Sequence, residues 1–317
     1  TAVSLMPRDA SAGGKTPEEE FCELAASIQA SLPKSKFDVD AIVRKYPVER
    51  LKSMNTILPQ ECLRYNKLFG AVADSVDKIQ KAVAGAVVMT PELEAVANSL
   101  LDNKVPEAWR ACSYPTQKAL GAYANDFVRR MTFMQKWIDD DVPTVFWISG
   151  FFFTQAFLTG IKQDMARENT VAIDTIIWNF EFQKMDGLAA VQEDAYENPY
   201  KQALAEMPAR SGCFVFGLFL QGARWNDETG TLDESFPKVL FEPMPVIFLK
   251  PVEQDKDGTP AKHYLCPVYK ESLRKGVLST TGHSTNHVTD ALLPILNHHT
   301  DKMWTMRGVA MLEQLDD

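Results

Sequence analysis

VFWISGFFFTQAFLTGI, residues 145–161, is the densest apolar block of the chain and lies near its midpoint. From Val142 to Ile161, twenty residues, no side chain is charged. That length can span a bilayer, so a membrane helix is the first reading to weigh. Pro143, Gly150 and Gly160, the hydroxyls of Ser149, Thr154 and Thr159, and the Gln155 amide oppose it, because a lone lipid-facing helix would bury those groups without partners. The block also changes period. Val145 to Ile148 is short and β-rich, Gly150 breaks it, and Thr154 is placed to cap a helix running to about Glu168. The stretch therefore predicts a core strand followed by a core helix.

Extended outward, the block becomes PTVFWISGFFFTQAFLTGIKQDMAREN, with IDT shortly after. In that form it resembles the signature segment at the C-terminal end of dynein heavy chains, the axonemal branch in particular. CFVFGLFLQGARWN from Cys213, LFEPMPVIFLKP from Leu240 and CPVYKESLRKGVLSTTGHSTN from Cys266 agree, as do KYPVERLKSMNTIL and SYPTQKAL upstream. The likeness runs in order over roughly residues 37–317. It implies an incomplete antiparallel barrel following a set of helices, and no catalytic role for the segment around His283. It also leads one to expect an aromatic residue where His287 stands.

Composition bounds the protein independently. Its 317 residues suffice for about two domains, each with a core of its own. Hydrophobic content of 45% and charged content of 24% are those of a soluble globular protein. A net charge of −9 argues against nucleic acid or an anionic membrane as a partner, and weakly against direct binding to an acidic filament. The five cysteines are scattered, never in a CxxC pair, and read as reduced intracellular thiols. No signal peptide is evident, and Thr1 in place of methionine suggests an excised fragment.

In sequence order, SAGGKT fails as a phosphate loop, since Asp9 stands where the first glycine belongs and no apolar strand leads in. Thr16, Pro17 and Glu19 predict a capping box opening a helix with Phe21, Leu24, Ile28 and Leu32 inward. A second helix starts near Asp38. Leu58, Cys62, Tyr65, Phe69, Val72, Val76, Ile79 and Val83 then alternate steps of four and three, the seam of either a dimeric coiled coil or a long helix in an intramolecular bundle. The aromatic and cysteine residues in that seam favour the bundle. Pro59 predicts a displaced start or a kink. Further helices are expected from Thr90 and, after a turn anchored by Trp109, from Pro115, the latter ending before Asp139.

Beyond residue 170 the period moves towards 2. Strands are predicted at Ile176–Phe182, Cys213–Leu220, Pro237–Glu242, Pro245–Leu249, near His263–Tyr269 and at Arg307–Gln314. A polar insertion is expected at 186–210 and a turn at Asp255–Gly258. About six strands without regular intervening helices suit an antiparallel sandwich or open barrel. The one stretch that invites a chemist is TTGHSTNH, 280–287, with His298 and His299 nearby. It gives GxSxN rather than GxSxG, and its Ser-Thr-Asn favours a turn over a helix that would pair His283 with His287 on a metal. A polar loop with locally bonded hydroxyls is the better reading, although an esterase built on Ser284 and His283 stays open as a competitor.

The sequence thus predicts an α+β protein. Residues 1–36 form a connector and first helix and 37–141 a helical bundle, which the resemblance likens to the lid of the sixth AAA module. Residues 142–317 form a C-terminal domain with an open antiparallel barrel. No catalytic, cofactor-binding or metal-binding residue is assigned. The resemblance places ATP and Mg in upstream modules of a parent motor and makes this fragment a non-catalytic brace of the AAA ring. It implies the ring modules of the same heavy chain as partners, with intermediate chains, light chains and microtubules reached through the parent motor. The setting it implies is the cytoskeleton, in the axoneme of a cilium or flagellum. A free-standing intracellular scaffold dimerising through the 58–83 seam is the alternative.

Overall fold

The computed structural model describes residues 16–183, 211–254, 262–278 and 284–316. The phosphate-loop comparison at 11–15, the insertion at 186–210, the turn at 255–258 and His283 lie outside them.

Helix α1, Pro17–Ser31, opens with the expected capping box, Thr16 and Glu19 each bonding the other's backbone N–H. Helix α2, Val39–Lys45, is capped by Asp38. Helix α3, Met54–Val83, carries the seam, and Leu58, Cys62, Tyr65, Val72, Val76 and Ile79 along it are buried within this one molecule. Phe69 is half-buried and Val83 exposed. The seam packs against α1, against α4, Pro91–Leu101, and against α5, Glu107–Arg110. That fits the bundle reading. The helix begins upstream of the expected start, so Pro59 falls inside it, in its second turn. Trp109 anchors its turn as expected, fully buried with Nε1 donating to Ser75 Oγ at 2.8 Å.

Helix α6, Leu120–Asp139, differs from expectation at both ends. It starts at Leu120 rather than Pro115, the intervening residues running in non-helical backbone up to Ala119. At its far end Asp139 is still helical, because Lys45 Nζ donates to the Ile138 and Asp139 carbonyls and supplies the cation that the acidic run lacks.

The decisive stretch forms β1, Val145–Trp147, a 3-10 turn at Ile148–Gly150, and helix α7, Thr154–Asn169. Among the described residues no helix is long and apolar enough to cross a membrane. One expectation fails in detail: Thr154 is the first helical residue rather than the cap, and its hydroxyl is engaged elsewhere. Phe146, Phe151 and Phe157 form an aromatic cluster, the last two stacked at 4.2 Å, and Trp137 of α6 meets Phe146 edge-on at 5.3 Å. Offset and edge-to-face pairs of this kind add roughly 0.5–1.5 kcal/mol each beyond the area they bury.

Strand β2, Ile176–Phe182, alternates buried and half-buried residues over its first five positions, as expected. The predicted strand at Cys213–Leu220 is two: β3, Cys213–Phe216, and β4, Phe219–Gln221. Gly217 between them has φ +93°, and a Cβ there would lie 2.6 Å from Trp147 Cδ1. A continuous apolar run hides such a break because apolar residues on both sides of it face the core. The small hairpin β5, Arg224–Asn226, with β6, Thr231–Asp233, follows. Then come β7, Phe241–Pro243; β8, Ile247–Glu253; β9, His263–Tyr269; and β10, His287–Pro294. Helix α8, Asp301–Met306, and β11, Ala310–Leu312, complete the described order. Neither β10 nor α8 was expected, and the strand predicted over Arg307–Gln314 shortens to β11.

The first sheet runs β1-β3-β8-β2 and the second β10-β9-β11-β4-β7. They are mixed rather than wholly antiparallel, since β1 pairs with β3 and β11 with β9 in parallel. The backbone passes from one sheet to the other at Gly217. Their edge strands β2 and β10 lie against each other without ladder pairing among the described residues, so no closed barrel forms. One buried apolar set extends without a break from Phe21 in α1 to Met311 in β11.

Candidate functional site

Where the helices meet the sheets, the core contains charge. Glu61 of α3 is fully buried. Its carboxylate accepts the Phe152 N–H and, at 3.2 Å, the Phe153 N–H, and pairs with Arg64 at 2.9 Å. The Phe153 N–H belongs to the N-cap residue of α7 and the Phe152 N–H precedes it, so Glu61 fixes the backbone entering the helix from across the core. Burial lifts its pKa above the ordinary carboxylate range, with the two N–H groups and Arg64 pulling the other way.

Arg130 of α6 is the second buried charge. Its Nε donates to Asp126 at 2.7 Å, Nη1 to the Ser149 carbonyl, and Nη2 to Gln314 Oε1 at 3.1 Å. The guanidinium lies 3.9 Å from the Tyr114 ring centroid. One side chain thus bonds α6, the turn after β1 and the residues after β11. Gln314 continues the link by donating to Pro115 O. The Ser149 hydroxyl is shared between the Gly217 and Glu313 carbonyls, and Thr154 Oγ1 donates to Glu313 Oε2 at 3.0 Å. Glu271 makes a smaller copy of the same device, accepting from Gln117 at 3.2 Å and Asn286 at 3.0 Å. A cleft of about 380 Å³ opens beside Arg130, with Trp147, Gly217 and Met244 in its walls.

The sequence reading missed Glu61, Arg130 and Glu313. For the first two a signal existed. Glu61 is three residues after Leu58 and four before Tyr65, and Arg130 is three after Phe127 and four before Met134. A charge at seam spacing in an otherwise apolar face announces a buried ion that needs a partner.

The stretch that invited chemistry behaves as a turn in its described part. Ser284 Oγ accepts the Asn286 N–H at 3.2 Å. His287 Nε2 lies 3.1 Å from Asp290 Oδ1, with its ring edge-on to Tyr269. His298 and His299 pair rings at 4.2 Å, and His299 packs against Trp304. Among the described residues no group of three or more His, Cys, Asp or Glu side chains is placed to hold a metal ion. All five cysteines are free, and burial pushes the Cys62, Cys213 and Cys266 thiols upward in pKa, away from thiolate chemistry.

The fold and its junction together define an α+β domain in which helices and sheets share one buried core and are bonded to each other through buried ions. Residues 1–313 match the family described as the C-terminal domain of the dynein heavy chain. Dynein axonemal heavy chain 3 of Homo sapiens is 46% identical over 312 residues, 98% of this chain and 7% of that protein. Dynein axonemal heavy chain 12 of Homo sapiens is 44% identical over 306 residues, 96% of this chain and 9% of its own length. Dynein axonemal heavy chain 1 of Rattus norvegicus is 42% identical over 314 residues, 99% and 6%. The protein belongs to this family of C-terminal domains of dynein heavy chains. It spans less than a tenth of the length of these relatives.

Proposed function

We propose that this protein is the C-terminal part of an axonemal dynein heavy chain, a microtubule-based, ATP-driven motor of cilia and flagella, and that its role there is mechanical. In this reading residues 37–141 correspond to a lid-like helical part of the last ring module and 142–317 to the domain that braces it. ATP and Mg act in upstream modules of the parent motor. The ring modules are the direct partners, and intermediate chains, light chains and microtubules are reached through the parent motor. The observation that carries the proposal is the Arg130 junction, where one buried cation bonds α6, the turn after β1 and the tail after β11. A displacement of the helices would be passed to the sheets through such a joint instead of being absorbed by a hinge.

The test uses the complete heavy chain with Arg130→Met, which keeps volume but removes the links. Microtubule gliding velocity and stimulated ATPase rate are read together. Bracing predicts slower gliding per ATP hydrolysed, with basal ATPase retained. A folded variant with both quantities unchanged would sink the proposal.

A further inference from the structure

The C-terminal strand β11 is three residues long, yet it sits centrally in its sheet between β9 and β4. Beside its ladder pairing on both sides, it is anchored by Glu313, just past its end. The Glu313 N–H donates to Tyr269 O at 2.9 Å, its carbonyl accepts from Ser149 Oγ, and its Oε2 accepts from Thr154 in the first turn of α7. The other carboxyl oxygen, Oε1, is buried with no hydrogen-bond partner. The charges facing this carboxyl come from three elements: Lys270 past the end of β9, Arg130 of α6 and Glu61 of α3. Arg64 and Glu271 lie around Lys270, and Asp126 pairs with Arg130.

An ionised carboxylate with one buried oxygen unpartnered is costly to keep, whereas a neutral carboxyl at the same place costs far less. We propose that Glu313 is a proton-operated latch: protonated, it holds β11 and the following residues against the first turn of α7, and on losing its proton to solvent it loosens that strand from the core. The step is a single proton transfer, carboxylic acid to carboxylate, with water as acceptor. Burial, opposed first by Lys270, raises Glu313 from 4.5 to about 7, which sets the range in which the latch acts. The folded protein keeps a proton that the unfolded one has already released between those two values. Stability from this group is therefore greatest at the acid side, falls as pH rises through the window, and is fully lost above about pH 7. The latch lies within this protein and goes beyond the bracing role.

Amide exchange of the 317-residue protein, corrected for the intrinsic pH dependence of exchange, tests it. Between about pH 5.5 and about pH 8, protection over residues 309–315 is expected to drop on the order of tenfold or more, and to stay nearly flat in Glu313→Gln, which mimics the protonated form. Equal pH profiles in the two proteins would overturn the proposal. Infrared spectroscopy of the unsubstituted protein gives a second readout that does not depend on that variant folding. A buried carboxylic C=O band is expected at acid pH and lost near neutrality, with its midpoint moved upward in Lys270→Met. Absence of the band at about pH 5.5, or an unmoved midpoint, would overturn it as well.

Discussion

Individual residues at the junction differ in what their loss should cost, and burial decides the order. Glu61→Ala leaves the Phe152 and Phe153 N–H groups unpartnered in a dry site, and we expect a loss of roughly 2–4 kcal/mol in urea unfolding. Arg64, its ion-pair partner, is 36% exposed and its loss leaves Glu61 both N–H bonds, so Arg64→Ala should cost about 1–2 kcal/mol, less than Glu61→Ala. Equal losses in the two variants would mean that the ion pair, rather than the bonds to the Phe152 and Phe153 N–H groups, is what Glu61 supplies. A different mechanism governs Gly160, where an added Cβ would lie 2.4 Å from Ile57 Cδ1 and 3.1 Å from Ser53 Cβ. Gly160→Ala should push α7 away from α3 and cost about 1–3 kcal/mol, despite the better helix propensity of alanine. A stability gain would show that the two helices can part without penalty. Here the sequence was only partly legible. Glu61 and Arg130 could have been found by their spacing, whereas Glu313, in the short run VAMLEQ, carries no periodic signal, and its burial follows from the strands packed around it.

Elements whose ends are chemically marked were the ones the sequence made readable. Thr16-Pro17-Glu19, Asp38 and Thr90-Pro91 each satisfy orphan amides locally, so α1, α2 and α4 begin where their caps stand. At α7 the local signal misleads by one residue, because Phe153 takes the N-cap position without a side-chain cap and the Thr154 hydroxyl, which could have capped it, bonds Glu313 instead. The six-residue α8 had a legible cap in Thr300, which accepts the Met303 N–H, but it is too short to show a period. The split of Cys213–Leu220 depends on Gly217 meeting Trp147, a contact between distant segments that no local pattern records. For the α3 seam the structure makes a sharp prediction. Val76 is fully buried against the other helices, so Val76→Asp should abolish cooperative folding, while Leu63→Asp, at a position 55% exposed, should change stability by less than about 0.5 kcal/mol. Thermal melts followed by near-ultraviolet circular dichroism check both. If Leu63→Asp were as damaging as Val76→Asp, the seam would be facing a partner outside this molecule.

At the scale of the molecule, the buried apolar set does not stop at residue 141. Trp137 packs on Phe146, Phe133 on Trp147 and Phe151, and Tyr65 on Phe152, with the Tyr65 hydroxyl donating to Gly150 O at 2.8 Å. Helices and sheets therefore complete each other's core, and the apolar stretch at 145–161 is dense because it is packed from both sides. Composition and period reveal a change from helices to strands near this point, but they carry no information on whether the two parts share an interior. Cutting the polypeptide tests that sharing directly. A protein ending at residue 141 would expose the faces of Tyr65, Phe133 and Trp137 that now meet the sheet, forfeiting part of the about 1.5–3 kcal/mol that full burial of each such side chain contributes. Against a total stability of about 5–15 kcal/mol for an ordinary domain, such losses leave little net stability. The truncated helices should retain far-ultraviolet helical signal, lose near-ultraviolet signal and bind a hydrophobic dye, as a loosely packed helical state does. Sharp, cooperative melting of the truncated protein with intact near-ultraviolet signal would mean that the helices possess a core of their own. In that case the interface at 145–161 would be a docking surface between two independent bodies, and the rigid transmission expected through Arg130 would lose its structural basis.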